Sequence, residues 1–257
     1  MQGIVELNLL QFSMVYVLLI IILAIMRKRK ISQTKLLLTA SIRMTIQLIL
    51  AGLILTYIFK NPDPVFTILY LCAMTAFAVH RVLSKNRTIN KKFKLAVSLS
   101  LSGAGLSIIL FFTGIIVRVN IFNPQYTIPL SGMIIGNAMT GVTLGMKTFH
   151  ESLKTERGKI NTLLNLGVSP SRILTPFVNT ALETALLPTM NSMLGMGIIS
   201  LPGMMTGQIL SGTLPMTAIL YQIAIMVAIC TVVCMATFCS LYFGSRTLYN
   251  KRSQIFF

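Results

Sequence analysis

The residues whose types could do chemistry are few in this sequence, and their spacing assembles no catalytic or metal site. Its four cysteines are Cys72, Cys230, Cys234 and Cys239. None of them belongs to a CxxC pair, and the one pair that shares a helix face, at a spacing of four, also suits small packed thiols. His80 and His150 have no partner at a metal-ligand spacing. We therefore expect a protein that is not an enzyme, and the pattern identifies no metal ligands.

A phosphate-binding loop is missing from the pattern as well. The pair Gly158 and Lys159 has no glycine five residues upstream and no Ser or Thr directly after it. We expect no cofactor in this chain. If ATP drives it, a separate partner subunit must bind the ATP and Mg²⁺.

Composition indicates which elements must position the remaining polar residues. Hydrophobic residues make up 54% of the chain and charged residues 11%, and the mean hydropathy is +0.80, far from soluble usage. The fold class is therefore an all-α integral membrane protein, because a span needs roughly 20 apolar residues. Seven spans are predicted at residues 9–26, 36–59, 65–79, 95–117, 127–146, 177–199 and 216–243. The third is short and the second begins amphipathically, so six full spans and one partial span remain an alternative.

The net charge of +17 is distributed in a way that favours a membrane topology over nucleic-acid binding. The loops that alternate to one side carry almost all Lys and Arg, whereas only Lys60 and Arg118 fall on the other side. The positive-inside rule then predicts a cytoplasmic C-terminus and an N-terminus outside. We expect a single multi-pass domain, residues 1–257, in the cell (plasma or inner) membrane, in contact with lipid and not with nucleic acid.

The most informative hydrophilic segment is residues 147–176, which we call the elbow. Phe149, Leu153, Ile160 and Leu164 recur at helical spacing. Gly167 can end that helix, and a second, short helix is predicted to begin after it and to be limited or kinked by Pro176. Patterning alone leaves two alternatives, a helix lying on the lipid surface or a docking element for a soluble partner. The candidate docking residues are Leu163, Leu166, Gly167, Ser169 as N-cap, Pro170 and Arg172.

Three stretches resemble a known family. LNLGVSPSRIL, within the elbow, resembles the LGASP-type cytoplasmic elbow of ABC transporter permeases, although Asn161, Thr162 and Leu163 stand roughly where the EAA residues of that motif would be. MIIGNAMTGVTLG, at 133–145, and LPTMNSMLGMGIISLPGMMTGQILSG, at 187–212, are similar to the family of the Fet iron-export permease and the plant aluminium-sensitivity permeases. The resemblance implies an ABC permease subunit, present as two copies with two copies of an ABC ATPase subunit, that exports iron or another metal.

A Gly-rich segment, residues 200–215, joins the last two predicted spans on the outer side. It has no charge, and it contains Pro202, Gly203 and Gly207. Because non-helical backbone at membrane depth must be buried or line a wet cavity, we interpret it as a hairpin that dips into the outer mouth. A plain tight turn is the alternative.

Polar residues within the spans are candidates for lining a pathway. Two GxxxG pairs, at Gly132 and Gly136 and at Gly141 and Gly145, predict close helix packing in the fifth span. The pathway candidates beside and opposite that span are Asn137, Thr140, Glu183, Met190, Asn191 and Met193. An unpaired charge within a span is costly, so the hypothesis is that Glu183 pairs with Arg43. The alternative is that each side chain snorkels separately to the nearby water interface.

The 16 methionines do not support an iron site, because thioethers suit copper(I) better and flexible packing explains most of them. Three functions remain at this stage. The first is the permease of an ABC exporter, for a metal or for a non-metal metabolite. The alternatives are a secondary transporter or channel, and a membrane-embedded enzyme or assembly factor.

Overall fold

Helices form every regular element of the part that the computed structural model describes, which is residues 8–85 and 89–250. Within it the nine α-helices are α1 Leu9–Lys28, α2 Thr34–Lys60, α3 Pro64–Lys85, α4 Lys91–Phe111, α5 Pro124–Thr155, α6 Arg157–Asn165, α7 Pro170–Gly195, α8 Gly203–Leu210 and α9 Pro215–Ser245. A π-helical turn, Phe112–Ile116, extends α4. Three basic residues used in the topology argument, Arg87, Lys251 and Arg252, lie outside the described residues, as do both ends of the predicted 1–257 domain.

Six of these helices, α1 to α5 and α9, are long and apolar enough to cross a membrane. The third predicted span, 65–79, was too short, because α3 continues to Lys85. α7 is not among these six helices. Its 26 residues give a length of about 39 Å, but they include the polar residues Asn179, Glu183 and Asn191. A multi-pass membrane protein is thus confirmed, and the seventh span stays a prediction.

Local sequence explains where several helices begin and end. Directly before α5, the Asn123 side-chain oxygen accepts a hydrogen bond from the Gln125 backbone N–H at 3.1 Å. Pro124 occupies the first turn of α5, where the missing N–H of proline costs no helical hydrogen bond. Asn90 caps α4 in the same way, accepting from the Phe93 backbone at 2.7 Å. α2 ends at Lys60, because Pro62 disfavours a helical backbone at Asn61, the residue directly before it.

The helix bundle has two chemically different ends. At one end, Asn90 Nδ2 donates to the Thr247 carbonyl at 2.9 Å and so joins the α3–α4 connection to the end of α9. This basic end carries Arg27, Lys28, Arg29, Lys30, Lys35, Arg81, Lys85, Lys91, Lys92, Lys94, Lys147, Lys154, Arg157, Lys159, Arg172 and Arg246. At the opposite end, the Thr67 hydroxyl donates to the Phe122 carbonyl at 3.1 Å, beside the loops that hold Lys60 and Arg118.

α5 is the central helix, because it packs on α3, α4, α7 and α9. A Cβ placed on Gly141 would lie 2.6 Å from Val233 Cγ1 of α9. This confirms the close packing predicted for the pair Gly141 and Gly145. The other pair behaves differently, since a Cβ on Gly132 would meet Met74 Cε at 3.4 Å and one on Gly136 would meet nothing within 4 Å.

α1 and α2 lie at the periphery of the bundle. α1 packs on α2, and α2 makes a smaller contact with α5. The Tyr16 and Thr45 hydroxyls share a hydrogen bond of 2.7 Å between the two helices. Most large apolar side chains of both helices are exposed, which suits a surface that faces lipid rather than water.

Candidate functional site

The turn at Gly167 joins α6 to α7 at the basic end. Gly167 has φ of 81°, a left-handed conformation that glycine adopts without a Cβ clash. Its N–H donates to the Leu164 carbonyl and the Val168 N–H donates to the Leu163 carbonyl, both at 3.0 Å. These two bonds form a Schellman motif, which satisfies the last carbonyls of α6. The predicted helix break is present, and its docking role stays a prediction.

The helices around this turn differ from the predicted ones in two ways. The amphipathic segment divides at Glu156 into the last turns of α5 and the separate α6. The second helix is not short, because α7 continues through Pro176 and Pro188 to Gly195. Pro176 removes one backbone donor, and the Thr175 hydroxyl donates to the Ser171 carbonyl at 2.8 Å beside it, so the helix tolerates the proline without ending.

Burial separates the two faces of the elbow. Phe149, Leu153 and Ile160 are buried in the protein core, and the Phe93 and Phe149 rings lie 6.5 Å apart. The apolar stripe is therefore not free to lie on lipid, and that alternative is wrong. Pro170 is buried and Leu163 is half-buried. The residues left exposed around the turn are Asn165, Leu166, Gly167, Ser169, Ser171 and Arg172.

Leu166 is the apolar residue at the exposed tip. It is 73% exposed, although it lies at the basic end among polar neighbours. The nearest ion pairs, Lys159 to Glu156 at 2.9 Å and Lys147 to Glu151 at 3.8 Å, are solvent-exposed pairs along α5 and α6 and contribute little stability. The tip therefore presents one apolar side chain on a rigid turn, which is a suitable shape for insertion into a cleft of another protein.

A cavity of about 190 Å³ lies between α5, α7 and α9, and most of its lining is apolar. We call it the polar cavity after the four polar side chains that line it. Asn137 and Thr140 line it from α5, and Thr189 and Ser192 line it from α7; the role of Asn137 and Thr140 in a pathway stays a prediction. Asn137 Nδ2 donates to the Met133 carbonyl at 2.8 Å, which leaves the second amide hydrogen and the side-chain oxygen available. The hydroxyl hydrogens of Thr140 and Ser192 likewise bond to their own helices.

Several predicted pathway residues lie elsewhere. Asn191 and Met190 are exposed on α7 and do not line the polar cavity, and Met193 lines a different cavity. Sequence reasoning missed Thr189 and Ser192. The signal was available, because these two residues share a face of α7 at a spacing of three.

The second cavity, which we call the methionine pocket, has a volume of about 420 Å³. Its sulfur-bearing residues are Met193 and Met196 from the end of α7, Met205 from α8 and Met226 from α9. Gln222, one turn before Met226, also lines it. Met196 and Met226 line the polar cavity too, so the two cavities are neighbours that share these two side chains.

The Gly-rich segment is largely helical, which corrects the predicted non-helical hairpin. Pro202 is the extended N-cap residue of α8, and Gly203 and Gly207 lie within that helix. Left-handed backbone occurs at Gly212 within this segment and at Gly197 shortly before it, with φ of 96° and 79°. The apolar residues between the glycines allow a short helix, which buries Met205 and packs on α9.

The predicted pair of Arg43 and Glu183 is wrong. The Arg43 guanidinium lies 5.8 Å from the centre of the Phe77 ring, and the ion pairs recorded among the described residues are both on α5 and α6. α2 packs on α1 and α5, whereas α7 packs on α5, α6 and α9. The two charges have similar depths along their helices but lie on helices that are not packed together.

Glu183 belongs instead to an exposed face of α7. The residues of this face follow one another at spacings of three and four, and we call them the α7 stripe: Arg172, Pro176, Asn179, Glu183, Leu187, Met190 and Leu194. Within the described residues, the side chains of Asn179 and Glu183 have no hydrogen-bond or ion-pair partner. Exposed polar and charged groups that face lipid within a membrane carry a high cost.

In the described part of the chain, no three His, Cys, Asp or Glu side chains gather in a way that could hold a metal ion. The four cysteines are free thiols. The polar cavity contains further oxygen atoms, and the methionine pocket contains thioether sulfurs.

Comparisons with known proteins agree on one family. The model of "Uncharacterised protein family (UPF0014)" matches residues 9–249. The chain is 32% identical to the "Probable iron export permease protein FetB" of Escherichia coli over 96% of its own length and 95% of that protein. It is 32% identical to the membrane protein YjkA of Bacillus subtilis, over 84% of each chain. Identity to "Protein ALUMINUM SENSITIVE 3" of Arabidopsis thaliana is 32%, over 83% and 77% of the two chains. No solved structure matches the chain.

Proposed function

The chain belongs to the UPF0014 family of membrane permeases, and from that premise we propose that it is the permease subunit of an ATP-binding cassette exporter. The cargo is iron or another metal, moved out of the cytoplasm. A separate ATPase subunit binds and hydrolyses the ATP. Family membership supports this proposal through the relative from Escherichia coli, which is named as a probable iron export permease.

The observation that carries the proposal is the course of α7. This one helix begins three residues after Gly167 at the exposed tip, passes Glu183, and reaches the polar cavity with Thr189 and Ser192. A helix packed along its length on α5 and α9 moves as a rigid element. A displacement that an ATPase imposes on the tip is thereby delivered to the cavity about 30 Å away, at 1.5 Å per residue.

The charge distribution supplies the orientation. The basic end holds nearly all Lys and Arg of the described connections, so the positive-inside rule assigns it to the cytoplasm. The Gly167 tip then faces the compartment that contains ATP. The methionine pocket and α8 face the outer side.

A second copy of the chain is the proposed cover for the α7 stripe. Asn179 and Glu183 are exposed without partners in one chain, and a two-fold interface repeats the same face from both copies. Two stripes that face each other would border a polar path between the copies. In this arrangement α7 crosses the membrane as a seventh span, shielded from lipid by α5, α9 and the partner copy.

The polar cavity also favours a second candidate cargo. Its polar lining consists of neutral amide and hydroxyl groups, whereas sites that hold iron in place use charged or imidazole ligands. Neutral oxygen donors equally suit a non-metal metabolite with several hydroxyl groups. ABC export of such a metabolite is therefore the alternative, with the same ATPase and the same elbow.

Reconstitution tests this function directly. The tagged chain is isolated from its native membranes with any bound ATPase, and inverted vesicles are loaded with an iron(II)-quenched fluorophore. We expect ATP-dependent iron(II) uptake that vanishes when the ATPase is omitted. Iron uptake by the chain alone, driven by an ion gradient, would instead indicate a secondary transporter and overturn the proposal. ATP-dependent transport that ignores iron, manganese and zinc would assign the non-metal cargo.

A further inference from the structure

We propose that the methionine pocket is a binding site for a soft monovalent cation of the copper(I) class, held by thioether sulfurs. The pocket gathers four methionines from three helices, Met193, Met196, Met205 and Met226, around about 420 Å³ of open space. Thioethers are soft ligands that select copper(I) and its heavier relative silver(I) over iron. Because methionine has three rotatable bonds, four such side chains around one cavity can converge on a single ion.

Gln222 provides an independent reason to expect a ligand. Its side chain lines the pocket and is only 8% exposed. Its Nε2 donates to Met196 Sδ at 4.0 Å, while its Oε1 is buried and has no hydrogen-bond partner. A buried acceptor without a partner is costly. A cation in the pocket would give this oxygen a partner, and the amide contact to Met196 would help to orient that sulfur toward the ion.

The lining also argues for a single positive charge on the ion. Every side chain of the pocket is neutral, and apart from Gln222 the remainder are apolar residues such as Leu201, Ile219 and Val227. A hard divalent ion would lose its water there without receiving any carboxylate in exchange. A soft monovalent ion loses less on dehydration and gains bonds to sulfur.

Simple packing does not account for the same features. Methionines that only fill space would close the gap between α7, α8 and α9, and an apolar core position would not place an unpartnered amide oxygen there. The site is also separate from the proposed transport function. It requires neither the ATPase nor a second copy, so its binding is measured on the chain alone.

Silver(I) is the redox-inert probe for this site. All proteins carry Cys72→Ala, Cys230→Ala, Cys234→Ala and Cys239→Ala, because thiols bind silver strongly. The pocket variant is Met196→Leu with Met226→Leu, which keeps volume and apolarity. Its matched control is Met14→Leu with Met44→Leu, on the exposed faces of α1 and α2. Calorimetry in detergent micelles is expected to show one silver ion per chain, bound about tenfold or more weakly by the pocket variant only.

A second measurement uses the same cysteine-free chain with all of its methionines in place, so it does not depend on the folding of the pocket variant. Radical oxidation followed by mass spectrometry is performed with and without silver(I). We expect silver to protect Met193 and Met196 and to leave Met14 and Met44 unchanged. The proposal is overturned by equal silver affinity in the pocket and control variants, by uniform protection of all four methionines, or by displacement of silver by equimolar iron(II).

Discussion

Gly145 of α5 lies against Thr237 of α9 with no space for a side chain on the glycine. A Cβ placed there would be 2.7 Å from Thr237 Cγ2 and 3.3 Å from the Ala181 carbonyl oxygen of α7. The three helices that enclose the polar cavity thus meet at one glycine. The carbonyl oxygen belongs to the backbone of a helix, so it cannot move aside as a side chain can.

Substitution of this glycine is therefore expected to force the helices apart. Gly145→Ala should destabilise the folded chain by about 1 to 3 kcal/mol, the usual cost of overpacking, and lower its unfolding temperature in detergent, measured by circular dichroism. Gly136→Ala is the matched control on the same helix, where a Cβ meets nothing within 4 Å, and it is expected to be neutral or slightly stabilising. Equal unfolding temperatures for the two variants would contradict the assignment.

The contrast between these glycines shows what spacing does and does not predict. A GxxxG pair indicates that another helix can approach closely, and both pairs of α5 have that spacing. Only Gly141 and Gly145 face α7 and α9, whereas Gly136 faces open space. The direction in which a face points depends on the arrangement of the other helices, which the spacing along one helix does not contain.

The same reason explains why the Gly167 turn was predictable and the Arg43–Glu183 pair was not. The turn depends on residues adjacent in sequence, since glycine, serine and proline specify a helix end and a helix start within four positions. The pair depended on two helices being neighbours. Matching depths along the membrane leave lateral position undetermined, and Arg43 lies beside Phe77 instead.

α7 and α8 show a further limit of the sequence. The sequence predicted a short helix that Pro176 limits or kinks, yet α7 continues through this residue to Gly195, because burial of Phe177 and Val178 against the core outweighs the loss of one hydrogen bond. Gly203 and Gly207 similarly lie within α8. Tertiary packing overrides local helix breakers in both segments.

The left-handed conformation of Gly167 predicts a coupling phenotype. Any residue with a Cβ costs about 1 to 2 kcal/mol in that conformation, so Gly167→Ala should misdirect the tip relative to α7. Copurified ATPase should hydrolyse ATP with less stimulation by the permease, on the order of tenfold less, while the amount of chain in the membrane stays the same.

Gly158→Ala is the control for that experiment. Gly158 lies in α6, and a Cβ there meets nothing within 4 Å. Alanine favours helix, so this variant should retain full stimulation of the ATPase. If Gly167→Ala stimulates hydrolysis as well as Gly158→Ala does, the tip is not the coupling element.

The exposed position of Glu183 predicts opposite effects on stability and transport. Glu183→Leu removes an unpartnered carboxylate from the α7 stripe, so the single chain in detergent should be as stable as wild type or more stable. ATP-dependent export should nevertheless fall roughly tenfold, equivalent to about 1.4 kcal/mol, if the stripe borders a polar path between two copies.

Glu151→Gln is the matched control for this carboxylate. Glu151 is exposed on α5 near the basic end, where it forms a 3.8 Å ion pair with Lys147, and such pairs contribute little. Export by this variant should equal that of wild type. A Glu183→Leu chain that exports normally would place the α7 stripe outside the transport path.

A substitution of Asn137 tests whether cargo passes through the polar cavity. Its Nδ2 donates to the Met133 carbonyl at 2.8 Å, so Asn137→Leu removes an amide oxygen and a second amide hydrogen while it keeps the branched shape of the side chain. Cargo in a cavity of about 190 Å³ would lose one oxygen partner, and we expect export to fall by roughly tenfold.

Thr143→Val is the control, because the Thr143 hydroxyl donates to the Met139 carbonyl of its own helix at 2.7 Å and Thr143 does not line this cavity. Initial rates of ATP-dependent export in inverted vesicles provide the comparison. Equal rates for both variants would show that cargo does not pass through this cavity, and would favour a path along the α7 stripe, which carries Glu183.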